Sequence, residues 1–141
     1  MTVALIDDQL LSRVLRGKSP RYLASRDLYT TGYWHVRLCL AVLGAQERTG
    51  QLSRPFAELP AALRDRAIRT LLELPRDVGL ISLRELAPLI GQLRHHHLNI
   101  LGMEALAAAT TLRAEVHISA PSPLLQHALE QEGITVKVHR N

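Results

Sequence analysis

The sequence predicts an α/β protein of three layers, α/β/α, on a short, mostly parallel sheet of four strands. Two observations predict it. Short apolar or alternating runs that suit strands take turns with longer segments whose apolar residues recur at helical spacing, and strands separated by helices belong to parallel sheets covered on both faces. The first of these runs, VALI at Val3–Ile6, has no polar side, as befits a strand buried between two helical layers. With 141 residues, 47% of them hydrophobic, the chain suits a single domain over 1–141, since a chain of this size buries on the order of two thirds of its unfolded surface.

The elements follow in order. Val3–Ile6 is the first strand, expected at the centre of the sheet. Residues 9–16 form a helix with Leu10, Leu11, Val14 and Leu15 at helical spacing, and 17–20 form a turn. After Gly32, YWHVRLCLAVLGAQ sets Trp34, Leu38 and Val42 on one stripe and makes a second helix, with Gly44 and Gly50 bracketing its end and the loop before Pro55. Residues 60–74 form a third helix, with Leu63, Ala67, Leu71 and Leu74 facing inward and Arg64, Arg66 and Arg69 facing solvent, and Pro75 stops it. VGLISL at 78–83 is a strand, 84–98 a helix, 103–112 an alanine-rich helix and EVHIS at 115–119 the next strand. Pro123–Gln131 is the last helix, Gly133 ends it, and 134–138 is the last strand.

Composition excludes several classes. The longest apolar stretches are broken by charge well short of the roughly 20 residues a membrane span needs, and two acids interrupt the N-terminus before any signal-peptide core, so a cytoplasmic protein without membrane contact is expected. The lone Cys39 rules out an internal disulfide and a cysteine-based zinc site, and its apolar helical surroundings give it no catalytic role. GxGxxG, P-loop, GxSxG and HExxH patterns are absent from the sequence.

Charge is informative once located. Residues 1–54 carry eight Lys or Arg against four Asp or Glu, whereas 55–141 carry nine of each, so the formal +4 comes from the first part. Arg13, Arg16, Lys18, Arg21 and Arg26 are dense enough to neutralise several phosphates, or equally to form a solvated face with Tyr22 as its one aromatic.

In parallel sheets, sites gather beyond the carboxyl ends of the strands, which is where Asp7, Asp8, Ser119 and Ser122 fall. Carboxylates there can hold a magnesium ion that keeps several of its waters, or can cap the helix that follows. Glu104 is a ligand candidate and, alternatively, a first-turn acid favoured by the helix dipole. His95, His96 and His97 step around a helix by about 100° each, so they are not expected to converge on one ion and are given no site.

The progression from LIDDQLL, through LISLRELAPLIGQLRHHHLNILGMEALAAATTLRAEVHISAPSPLL, to HALEQEGITVKV resembles a PIN domain over most of the chain. That fold belongs to metal-dependent ribonucleases and includes the VapC-type toxins. The resemblance implies four acids. Asp7 meets the aspartate that ends the first strand, and Glu104 meets the acid that opens the alanine-rich helix. Where an early glutamate is expected, TTGYWHVRL offers Tyr33, Trp34, His35 and Arg37, with Glu47 farther along; in SAPSPLL, Ser119 matches a leading hydroxyl but Pro121 stands where an aspartate would be.

From the resemblance, Asp7 and Glu104 are the catalytic candidates, and Asp7, Asp8 and Glu104 the ligands of one Mg²⁺ or Mn²⁺. Ser119 and Ser122 join the cleft, and Arg13, Arg16, Lys18 and Arg21 position a nucleic acid, RNA by analogy. A two-ion site needs more carboxylates than these. The expected function is therefore a toxin-type, nucleic-acid-associated protein whose ribonuclease activity is impaired or lost; the alternative is an active Mg²⁺- or Mn²⁺-dependent endoribonuclease using Asp7 and Glu104. Toxins of this family commonly act as dimers beside a small antitoxin, so a homo-oligomer and a small protein partner are expected. By position in the resemblance Asp7 is the cleft residue, which leaves Asp8 to cap the helix.

Overall fold

The computed structural model describes residues 1–44 and 50–140. Its chain order is β1 (Val3–Ile6), α1 (Asp8–Leu15), β2 (Asp27–Thr30), α2 (Gly32–Leu43), α3 (Arg54–Ala57), α4 (Ala61–Leu72), β3 (Val78–Leu80), α5 (Leu83–Gln92), α6 (Ile100–Leu112), β4 (Glu115–Ile118), α7 (Pro123–Gln131) and β5 (Val136–Val138). The sheet has five strands in the order β3-β2-β1-β4-β5, and every pairing is parallel. The expectation of four strands, mostly parallel, is corrected to five, all parallel, with helices on both faces.

The strand that the sequence reading lacked is β2. Its register with β1 pairs Val3 with Asp27 and Leu5 with Tyr29, and Thr30 donates its hydroxyl to the Ile6 carbonyl at 2.9 Å. Tyr29 lies opposite Gly79 on β3, where a Cβ would overlap the tyrosine ring. A strand of three residues thus carries a glycine because its neighbour's ring fills the space.

β1 occupies the centre, as its apolar run requires, and Ala4, Leu5 and Ile6 are fully buried. Alternation along it feeds two cores. Leu5 joins Val116, Ile118, Leu86, Leu106, Leu125 and Leu129 under α5, α6 and α7. Ala4 and Ile6 join Leu10, Leu11, Leu38, Phe56 and Leu71 under α1 to α4. The helix α6 is buried from Gly102 through Ala109; a helix apolar all round belongs inside, and its alanines let the strands and neighbouring helices approach closely.

Helix ends follow local chemistry. Gly17 (φ 77°) and Gly133 (φ 75°) close α1 and α7 in the left-handed region, with Lys18 N donating to Arg13 O and Ile134 N to Leu129 O at 2.9 Å in both cases, the long bond of a Schellman turn. Ser82 caps α5, accepting from Glu85 N, which cuts the strand expected over 78–83 to Val78–Leu80. The last two strands are also shorter than expected, at Glu115–Ile118 and Val136–Val138. Leu63, expected inside, is half exposed, while Ala67 and Leu71 are buried as expected. The end of the helix expected after Gly32, from residue 45 on, falls outside the described residues, as does Glu47.

Two further corrections bear on candidate sites. The helix expected over 84–98 stops at Gln92 and gives way to a single 3-10 turn, Arg94–His96, so the argument that kept the three histidines apart on an α-helix does not apply to them. Asn99 then caps α6 by accepting from Gly102 N, and α6 begins at Ile100. Glu104 therefore lies in the second turn, where the helix dipole gives no reason for an acid.

At the amino end of the sheet, Glu115 on β4 accepts from Arg26 Nε, just before β2, and from His117 Nε2 at 2.9 Å, with Lys137 Nζ 3.8 Å away. Burial pushes the Glu115 carboxyl up, but Arg26 and His117 outweigh that and hold it at about 2. A carboxylate depressed from 4.5 in the unfolded chain stabilises the fold fully above that value and loses this as pH falls through about 2. Glu115→Gln is expected to flatten the acid limb of stability between those values, measured by denaturation at stepped pH; an unchanged acid limb would assign it to other groups.

Candidate functional site

In this strand order the chain turns back on itself between β1 and β4, and the crevice beyond the carboxyl ends at such a reversal is where open α/β sheets bind ligands. Asp7 and Asp8 follow β1, and Ser119 follows β4. A cleft of about 300 Å³ opens there, bordered by Asp7, Asp8, Gln9, Arg37, Asn99 and Ser122 among others.

Both aspartates border the cleft, as expected of Asp7, but the cap of α1 falls to Asp7 and not to Asp8. Asp7 is the N-cap of α1: its Oδ1 accepts from Leu10 N at 3.0 Å and from Ser119 Oγ at 3.1 Å, and its Oδ2 accepts from Ser119 N at 2.7 Å. Asp7 thus ties the end of β1 to the end of β4 and has no oxygen left over. Asp8 is the first residue of α1. Its Oδ1 accepts from Gln9 N, and its buried Oδ2 has no hydrogen-bond partner. The physical reason is backbone geometry: Asp7 is extended (φ −78°, ψ −178°), the conformation a cap needs, whereas Asp8 already has helical neighbours on its carboxyl side.

Arg37 Nε lies 3.5 Å from Asp8 Oδ2. Burial pushes the Asp8 carboxyl above its ordinary value; Arg37 pulls it down less strongly, and the Asp7 charge adds to the rise. Burial likewise raises Asp7, against the hydrogen bonds from Leu10 and Ser119.

Glu104 is fully buried. Its Oε1 accepts from Tyr33 N at 2.8 Å, in the first turn of α2, while Thr31 caps the same helix through Trp34 N. Its Oε2 has no partner and sits 3.2 Å from where a Cβ on Gly32 would stand, so the glycine makes room for the carboxylate. Glu104 does not border the cleft. Among the described residues, the group whose metal-binding atoms all lie within 4.8 Å of one another is His95, His96 and Glu132, and Asp7, Asp8 and Glu104 do not form such a group.

The basic candidates also separate. Arg13 and Arg16 share a second cavity, of about 180 Å³, with Ser119 and Gln9; Gln9 borders both openings. Burial lowers the Arg16 pKa and the nearby Arg13 charge lowers it further, and neither arginine is salt-bridged among the described residues. Lys18 and Arg21 are exposed beyond the end of α1 and border neither opening. Ser122 borders the cleft and gives its N–H to Gln126 Oε1. The sequence reading missed Arg37 and Asn99 as cleft residues. Arg37 precedes the buried Leu38 by one position, which marks the rim of that helix's inner stripe, and an Asn immediately before a helical run is a cap signal.

No protein-family model matches the chain, and no curated protein matches it. Among the described residues, no helix is long and apolar enough to cross a membrane.

Proposed function

We propose that the chain is a PIN-like, nucleic-acid-associated protein with a thinned metal site and impaired or lost ribonuclease activity. One observation carries the reading: beside the reversal of strand order Asp8 Oδ2 is buried with no hydrogen bond, paired at 3.5 Å with Arg37, while Glu104 Oε2, away from the cleft, is also buried with no hydrogen-bond partner. Orphaned buried carboxylate oxygens are costly, and a cation or a proton is what relieves them. The neighbouring cavity with Arg13, Arg16 and Ser119 suits a phosphate, since two close guanidiniums there meet no carboxylate.

The same geometry argues for loss of chemistry. Asp8 Oδ2 can meet one Mg²⁺ or Mn²⁺ that keeps most of its waters. Asp7 is engaged at both oxygens, and Arg37 stands beside Asp8 on the helix where the family resemblance asks for a glutamate. A positive side chain there competes with an ion and gives no ligand. An ion bound in the cleft would supply charge for a substrate phosphate; the chain itself would position the backbone through Arg13 and Arg16.

Calorimetric titration with Mn²⁺ tests this. The wild type is expected to bind weakly, with heats lost in Asp8→Asn, and a single-stranded RNA incubated with Mn²⁺ is expected to stay largely intact. Equal heats in the two proteins would remove the metal from the cleft. Rapid Mn²⁺-dependent cleavage abolished by Asp8→Asn would replace this reading with the active endoribonuclease.

A further inference from the structure

We propose that His95, His96 and Glu132 form a binding site for one first-row transition-metal ion of the zinc class, separate from the acidic cleft. The backbone builds it from two unrelated ends. Where α5 stops, the 3-10 turn at Arg94–His96 is closed by His97 in the left-handed region (φ 54°), a conformation unfavourable for a side chain with a Cβ. This turn brings successive imidazoles together with ring centres 4.2 Å apart and planes tilted by 38°. From the other side Glu132, the C-cap of α7, is fixed by the left-handed Gly133 and sets its Oε2 3.0 Å from His96 Nε2.

The three ligand atoms lie within 4.8 Å of one another. Around a tetrahedral ion with bonds of about 2.0 to 2.2 Å, neighbouring ligands stand about 3.3 to 3.5 Å apart, so modest side-chain rotation closes the set. Two imidazoles and a carboxylate are a zinc donor set that leaves a fourth position for water. Imidazoles favour zinc, nickel and copper over the magnesium and manganese that all-oxygen sites prefer, so chemistry as well as place divides this cluster from the cleft. The His96 side chain is 4% exposed and that of Glu132 27%, which shields the ion on one side and leaves an entry on the other. The one guanidinium on the turn, Arg94, is bonded to Gly91 O at 2.8 Å. A plain His96–Glu132 hydrogen bond explains two of the three residues and leaves the placement of His95 without a reason. When bound, the ion links the α5–α6 connection to the end of α7, and that connection leads directly into Leu98 and Asn99 at the wall of the cleft.

The test is titration of the chelator-treated protein with Zn²⁺ by calorimetry and with Co²⁺ by visible absorption, with melting curves for each. One Zn²⁺ per chain, a tetrahedral Co²⁺ spectrum and a raised melting temperature are expected. His95→Ala and Glu132→Gln, both at accessible positions, should each weaken Zn²⁺ binding by at least about 10- to 100-fold, the loss that removing even an outer partner of a ligand brings. Asp8→Asn should bind Zn²⁺ as the wild type does, so failure of the acidic cleft leaves this site standing. Absence of Zn²⁺ binding, or binding unchanged in His95→Ala and Glu132→Gln, would overturn the proposal.

Discussion

Asp7→Ala is expected to melt about 10 °C below the wild type, because it removes more than a cap. Loss of the acceptor for Leu10 N costs about 0.5 to 2 kcal/mol. Loss of the acceptor for Ser119 N strands a donor at the end of β4, at about 1 to 3 kcal/mol. The sum, about 1.5 to 5 kcal/mol, centres on that shift at about 3 to 4 °C per kcal/mol for a chain of this length. Asp7→Asn keeps one acceptor oxygen for Leu10 N and Ser119 Oγ but sets an amide group against Ser119 N, so an intermediate loss is expected.

Asp8→Asn should behave in the opposite sense. Its carboxyl is raised above the ordinary value by burial, so the folded state holds the proton more tightly than the unfolded chain. This group's contribution is then most favourable at acid pH and falls as pH rises from the ordinary carboxylate range through the raised value. Above the ordinary carboxylate range the raised Asp8 carboxyl is a cost to the fold, and the amide removes it, giving a melting temperature at neutral pH equal to or above that of the wild type. Similar melting temperatures for Asp7→Ala and Asp8→Asn would contradict the division of labour between the two aspartates.

Glu104→Ala is the second large effect, expected at about 2 to 4 kcal/mol. It leaves Tyr33 N without an acceptor in the half-buried first turn of α2 and opens a void at the fully buried position of Glu104. Glu104→Gln retains the oxygen that faces Tyr33 and should recover most of the loss. Urea denaturation reads both: the midpoint falls for the alanine variant and returns for glutamine at constant m-value. If glutamine were as damaging as alanine, the negative charge itself, and not the hydrogen bond, would be the stabilising feature of Glu104.

The layers were legible because periodicity is strong where burial is one-sided or complete. VALI has no polar residue and lies at the centre, and Trp34, Leu38 and Val42 share a helical stripe and are all buried, Trp34 in one core and Leu38 and Val42 in the other. β2 was not legible, since Asp27–Thr30 begins on an acid and its inward residues are identified only by pairing with Val3 and Leu5 from another part of the chain. The place of the site was legible through the carboxyl ends of the strands. The roles of Asp7 and Asp8 were not, because neighbouring acids differ only in backbone conformation. The histidine turn was hidden for a related reason: a helical pattern through residue 98 gives no sign that α5 stops at Gln92, and the partner acid Glu132 is 36 residues from His96.

A nucleic-acid site beside the β1–β4 reversal is put to the test by the fluorescence anisotropy of a labelled single-stranded RNA at stepped salt concentrations, with wild type and Arg13→Glu/Arg16→Glu compared. Wild-type binding is expected whose logarithm falls linearly with the logarithm of salt, with a slope shallower by about 1.4 in the double variant, about 0.7 for each lost phosphate contact. Affinity and slope unchanged by the reversal, or no wild-type binding at low salt, would contradict it.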